Sequence, residues 1–274
     1  MRAKAEGTKS LRLRYDGATG RRERILHAVG QTGSVTTTEL AEMFQVSEMT
    51  IRRDFRRLAD QGVVRLVHGG LSAVTTISGP IDFRLRAAQH GDAKRAIARS
   101  AISLLQPGSV VGLDAGTTTL EVARQLPDDT RLTIVTNSLP AMAAMAGRSS
   151  IEVLGLGGHF LASTQAFAGP MTVNDIRHVR IHTLLLAITA INGPTLWCTN
   201  PFDAETKRAL ISAADRVVLL ADSSKFRTSA VMRVAEIDVI QTVVTDGAID
   251  KQTLRRLRKS GLEVIVVEVR PLGT

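Results

Sequence analysis

The chain has 274 residues, enough for about two domains, and 44% apolar with 22% charged residues excludes a long disordered polymer. Thirty-five Lys and Arg against 26 Asp and Glu leave a net charge of +9, compatible with a polyanionic partner. The single cysteine, Cys198, excludes an intrachain disulfide and a multi-cysteine zinc site. Aromatics at 3% argue against a base-stacking single-strand binder, and no apolar run approaches a membrane span.

Residues 1–20 are basic and lack an apolar stretch, which predicts a mobile tail rather than a secretory leader. Ile25, Leu26, Ala28 and Val29 predict a short amphipathic helix over 21–30 ended by Gly30, followed by a polar turn at 31–35. Thr36 and Glu39 have capping-box spacing and start a helix through Leu40, Ala41, Met43 and Phe44. Gln45 and Val46 form a turn, and Ser47 caps a third helix over 48–60. Ile51, Phe55 and Leu58 make its apolar face, and Gly62 stops it. A strand over 63–67 and a turn at His68-Gly69-Gly70 complete a winged helix-turn-helix pattern over 21–71.

Residues 72–92 read as a linker: 72–80 is rich in Ser, Thr, Gly and Pro, and 81–90 is charged with helical tendency. From 93 to 274, strands at 109–114, 132–137, 151–155, 183–188, 216–222, 242–246 and 262–269 alternate with helices. The helical patterns lie at 93–105, 118–126, 140–147, 204–214 and 251–259. This order predicts βαβ units and a mostly parallel sheet covered by helices.

The third helix carries the first candidate site. With its apolar face buried, it presents Ser47, Thr50, Arg53 and Arg57, flanked by Arg52 and Arg56. A recognition helix meets base edges near its N-terminus, so Thr50 and Arg53 are assigned to bases and Arg52, Arg56 and Arg57 to phosphates. Ser47 caps the helix and donates to a phosphate. Arg65 and His68 on the wing reach the adjacent backbone or minor groove. Asp54 is expected to orient the surrounding arginines as their charge partner.

The segment VTTTELAEMFQVSEMTIRRDFRRLADQGVVRLVHGG, above all VSEMTIRRDFRRL, resembles the N-terminal domain of the DeoR family of bacterial transcription regulators. GLDAGTTTLEVARQL, VTNSLPA, LGLGGHF, FAGP, ETKRALISAADRVVLLADSSKF and VVTD follow in that family's order, so the resemblance covers about residues 20–270. It implies a winged helix-turn-helix domain followed by a Rossmann-like, ribose-5-phosphate-isomerase-like α/β domain. It also implies a cytoplasmic, nucleoid-associated repressor of carbohydrate genes, binding double-stranded operator DNA as a dimer or tetramer and answering to a small sugar phosphate.

The second candidate site follows from strand ends. Asp114-Ala115-Gly116-Thr117-Thr118-Thr119 lies between a predicted strand and helix, where free N–H groups, a glycine and hydroxyls suit an anion; no Walker lysine follows. The turns at Asn137, at Gly157-Gly158-His159 and at Asp222-Ser223-Ser224-Lys225 end other strands. Glu205 and Lys207 start a helix and, with Thr119, join the effector-binding candidates. By resemblance, Asp114, Gly116, Thr117, Thr118, Asn137, Gly157, Gly158, Lys207 and Lys225 belong to a sugar-phosphate pocket.

The sequence departs from the family pattern at His182, Ala187 and Ala190, and carries an apolar insert with Leu196, Trp197 and Cys198. Trp197 is open to a pocket wall, a lid, a core or a dimer contact. Cys198 reads as a small buried hydrophobe. No cofactor, metal or catalytic residue is expected. An isomerase-like enzyme is the alternative, with Asn192 where a carboxylate base is wanted and Glu205 as the remaining candidate. A nonspecific architectural DNA binder is a second alternative.

Overall fold

The computed structural model describes residues 17–60, 64–73 and 83–269. The expected tail over 1–16, the Gly62 stop, residues 74–82 of the linker and the last five residues lie outside them. The chain divides into two compact units at Ala73.

The first unit contains α1 (Ala18–Thr32), β1 (Ser34–Thr36), α2 (Thr37–Phe44), α3 (Glu48–Asp60), β2 (Val64–Val67) and β3 (Gly70–Ala73). Helix α1 begins inside the expected tail and runs through Gly30. Gly33, in the left-handed region, ends it two residues beyond the expected turn start. Nothing in the Gln31-Thr32 pair breaks a helix, and glycine inside one costs only about 1 kcal/mol. The capping box of α2 is present: Thr36 Oγ1 accepts from the Glu39 N–H, and Glu39 accepts from the Thr36 N–H. β1 and β3 were not foreseen as strands. They pair antiparallel, giving a three-stranded wing of order β1-β3-β2. Gly70 makes this possible, because a Cβ there would lie 2.3 Å from the Val35 carbonyl oxygen. Ile25, Leu40, Ile51, Phe55, Leu58 and Leu71 fill the core.

The second unit opens with α4 (Phe83–Ala88) and α5 (Gly91–Ile102). The chain then runs β4 (Val110–Leu113), α6 (Thr117–Gln125), β5 (Leu132–Thr136), α7 (Leu139–Met145), β6 (Ile151–Gly155), β7 (His159–Leu161), β8 (Ala166–Ala168) and α8 (Pro170–Ile176). It continues through β9 (Ile181–Ala187), β10 (Ala190–Asn192), β11 (Thr195–Cys198), α9 (Pro201–Ser212), β12 (Ala214–Leu220), β13 (Met232–Glu236), β14 (Thr242–Asp246), α10 (Lys251–Lys259) and β15 (Glu263–Val267).

Seven of these strands form one parallel sheet, ordered β15-β14-β12-β9-β4-β5-β6. Its strands alternate between two apolar layers, as period-two side chains must. Leu185, Val218, Leu220 and Val244 pack with Ile97, Val122 and Met145 of α5, α6 and α7. Leu184, Leu186, Val217 and Val243 pack with Ile176, Leu210 and Leu257 of α8, α9 and α10. The apolar insert forms a small antiparallel sheet, β10-β11-β13, capping the second layer. Central strands β4 and β9 are neighbours whose successors run in opposite directions across the sheet. Their carboxyl ends therefore border a crevice at a topological switch point.

Candidate DNA-reading face and crevice

On α3, Ile51, Asp54, Phe55 and Leu58 are buried, while Arg52, Arg53, Arg56 and Arg57 are exposed. Ser47 caps the helix by accepting from the Thr50 N–H at 3.2 Å, and its hydroxyl lies 2.9 Å from Thr50 Oγ1. Arg52 pairs with Glu48 at 3.3 Å; Arg53, Arg56 and Arg57 have no ion pair among the described residues. On the wing, Arg65 and His68 are exposed, and Thr37 donates to the Gly69 carbonyl, tying the wing to α2.

Asp54 departs from expectation. It faces inward and pairs with Arg21 at 2.6 Å and Arg22 at 3.4 Å, both on α1. It therefore locks α1 to α3 and does not neutralise Arg53, Arg56 or Arg57. Sequence spacing showed only its neighbours on α3, and a partner 33 residues away carries no local signal.

In the second unit, Gly116, Thr117, Thr118, Lys207 and Lys225 line one crevice at the ends of β4 and β9. Arg86, Thr164, Thr189, Thr199 and Asp203 line it too. Helix α6 opens at Thr117, so its N-terminus faces this space. Asp114 lies beneath, fully buried; Oδ2 accepts the Ala187 N–H at 3.0 Å and an ion-paired hydrogen bond from Lys207. Asp114 Oδ1 has no hydrogen-bond partner among the described residues. Lys207 also pairs with Asp203 at 3.3 Å. Burial opposes the Lys207 charge, but Asp114 and Asp203 outweigh it and hold the ammonium above the ordinary lysine range. Burial raises the Asp203 carboxyl above its usual range despite Lys207 beside it.

Other predicted residues lie elsewhere. Thr119 is consumed inside the turn, its hydroxyl bonded to Asp114 and Gly116 backbone atoms. Asn137 donates to the Phe167 carbonyl, and Gly157 accepts from Thr172, so both hold the β7–β8 hairpin and α8; Gly158 packs against Thr172 and Ala168. Glu205 is exposed on the far side of α9. It lines a different cavity with Arg177, Arg180, Arg208 and Asp215, because it is two residues from Lys207 on a helix that turns 100° per residue. Lys225, inside the crevice, pairs with buried Asp222 at 3.7 Å.

Sequence reading missed Arg86, Asp203 and Lys94. Lys94 on α5 is 1% exposed and donates to the Arg86 carbonyl. Burial, then the nearby Lys225 charge, push its pKa down to about 7. Trp197 on β11 does not line the crevice, but its carbonyl accepts from Thr189, which does. The Trp197 indole N–H is buried without a partner among the described residues. Burial pushes the Cys198 thiol up to about 12, so it is not a thiolate near neutrality. His182 accepts from the Val110 N–H at 2.9 Å, joining β9 to β4 at the opposite end from the crevice.

Two domain families match the chain: the DeoR-like helix-turn-helix domain over residues 21–76 and the DeoR C terminal sensor domain over 89–247. The chain belongs to the DeoR family of transcriptional regulators. A putative aga operon transcriptional repressor of Escherichia coli O157:H7 is 33% identical, covering 93% of this chain and 96% of its own. An L-fucose operon activator of Haemophilus influenzae is 34% identical over 84% and 92%. Among solved structures, a ribose 5-phosphate isomerase A from Methanocaldococcus jannaschii aligns with 50% of this chain and 55% of its own. Identity is 18% and the TM-score 0.37, a distance at which neither site nor activity transfers. No described helix is long and apolar enough to cross a membrane.

Proposed function

We propose that this DeoR-family regulator reads a duplex operator with α3 and sets its DNA affinity by binding a small phosphorylated sugar, or a related anionic metabolite, in the crevice between β4 and β9. Repression is the mode we assign, acting in the cytoplasm as a homo-oligomer, since one recognition helix reads too few base pairs for useful specificity. Thr50 and Arg53 read bases; Ser47, Arg52, Arg56, Arg57, Arg65 and His68 hold the backbone.

The observation that carries the effector reading is the convergence of Lys207, Lys225 and Arg86 with the N-terminus of α6 in one crevice. Cations and free backbone N–H groups suit a phosphate. The unpartnered Asp114 Oδ1 suits a sugar hydroxyl donor. Arg86 stands on α4, the first described helix after the first unit, so a ligand gripping it acts on the segment that leads back to the head. An effector changes DNA affinity only by binding the two arrangements unequally.

Turnover is disfavoured by the same geometry. Asp114 and Asp203 are both engaged with Lys207, and Glu205 is outside the crevice. A thermal-shift screen of the full chain against sugar phosphates and their unphosphorylated parents tests the proposal. A selective rise in melting temperature with the phosphorylated form is expected. Equal shifts from the parent sugars, or none from any phosphate, would remove it.

A further inference from the structure

Helix α10 (KQTLRRLRK) holds Lys251, Arg255, Arg256, Arg258 and Lys259 and no acidic residue. All five cations are exposed, and none has an ion pair among the described residues. Thr253 and Leu257 are buried, so the helix is anchored and its opposite face looks outward. At 100° per residue, Lys251, Arg255 and Lys259 fall on one outward stripe, with Arg256 and Arg258 on its flanks.

Helix stability does not explain this pattern. Cations in the last turn favour the helix dipole, which accounts for Arg256, Arg258 and Lys259. Lys251 stands in the first turn, where the dipole opposes it; the neighbouring N-cap Asp250 is engaged with the Thr253 N–H, and no carboxylate within the helix relieves any of the five. Ordinary surfaces mix the two signs.

We propose that α10 is a second contact surface for the phosphate backbone of duplex DNA, separate from α3 and blind to sequence. The proposal rests on the reading of the first unit as a DNA-binding head, which supplies the polyanion at high local concentration. The stripe is about 12 Å long, a length over which a duplex presents roughly seven phosphate charges. No aromatic or amide side chain other than Gln252 accompanies it, so it positions and does not read bases.

The test uses the full chain and a fluorescently labelled duplex of arbitrary sequence, with affinity measured by anisotropy across a salt series. A Lys251→Gln/Arg255→Gln/Lys259→Gln triple variant is compared with Arg99→Gln/Arg131→Gln/Arg227→Gln, which removes the same charge from exposed sites on other elements. Circular dichroism checks that both fold. Three lost phosphate contacts should flatten the log–log salt slope by about 2 to 3 and weaken low-salt binding for every sequence, while the control stays near the parent line. If both triples fall on the same line, net charge alone is at work and the proposal fails. If the parent itself does not bind duplex, the head reading fails first and this inference falls with it.

Discussion

Two buried charges in this protein answer to different physics. Asp54 is paired, with Arg21 and Arg22 both reaching it from α1. Removing one partner of a buried pair leaves the other uncompensated, so Asp54→Ala should destabilise the first unit by about 3 kcal/mol. Arg21→Met/Asp54→Leu should recover much of that, because apolar groups replace the buried pair and only the half-buried Arg22 loses its carboxylate. Chemical denaturation followed by a probe in the first unit decides; equal stabilities for the single and double variants would count against the pair. Lys94 is the opposite case, a buried ammonium held by a carbonyl. In the unfolded chain it keeps its proton up to its ordinary 10.5, in the folded chain only below about 7. Between those values the unfolded state binds the extra proton, so stability rises with pH, and the full penalty stands below about 7. Lys94→Met should therefore melt higher than the parent at acidic pH, with the gap narrowing as pH climbs from about 7 toward 10.5. A pH-independent gap would show that the folded and unfolded chains hold the Lys94 proton equally, so that burial does not lower its pKa.

At the level of elements, the crevice depends on how closely the α6 turn approaches β9. A Cβ on Gly116 would lie 2.3 Å from the Ala187 Cβ. Gly116→Ala should push the start of α6 off the end of β9 and abolish the effector-induced melting shift, while duplex binding by the head persists. Retained shifts in that variant would show that the turn yields. The parallel sheet was legible in the sequence because its buried strands carry short apolar runs, as at 110–113 and 217–221. The wing strand β1 and the β10-β11-β13 sheet were not. Their strands are three to five residues long, and β11 meets β13 only across an intervening helix and strand. The crevice was legible as glycine and hydroxyl turns at strand ends. Its closure by Lys207 on Asp114 joins residues 93 apart, and Arg86 comes from a helix that read as linker. Glu205 was misplaced because proximity in sequence on a helix is not proximity in space.

For the molecule as a whole, the two units divide the labour, and substitutions should separate accordingly. Arg53→Ala should weaken operator binding by about 1–3 kcal/mol and relax specificity, leaving the effector melting shift intact. Lys225→Ala should keep operator affinity and lose the ligand response. Mobility-shift titrations with and without the effector measure both, and a Lys225 variant that folds yet cannot bind DNA would break the division. The chain's sole tryptophan gives this division a built-in observer. Trp197 shares a backbone hydrogen bond with Thr189 on the crevice wall, and its indole N–H has no partner among the described residues. All indole fluorescence thus originates beside the crevice and none from the head, so a change in its emission on titration reports occupancy of the second unit without a label, even while the protein is on DNA.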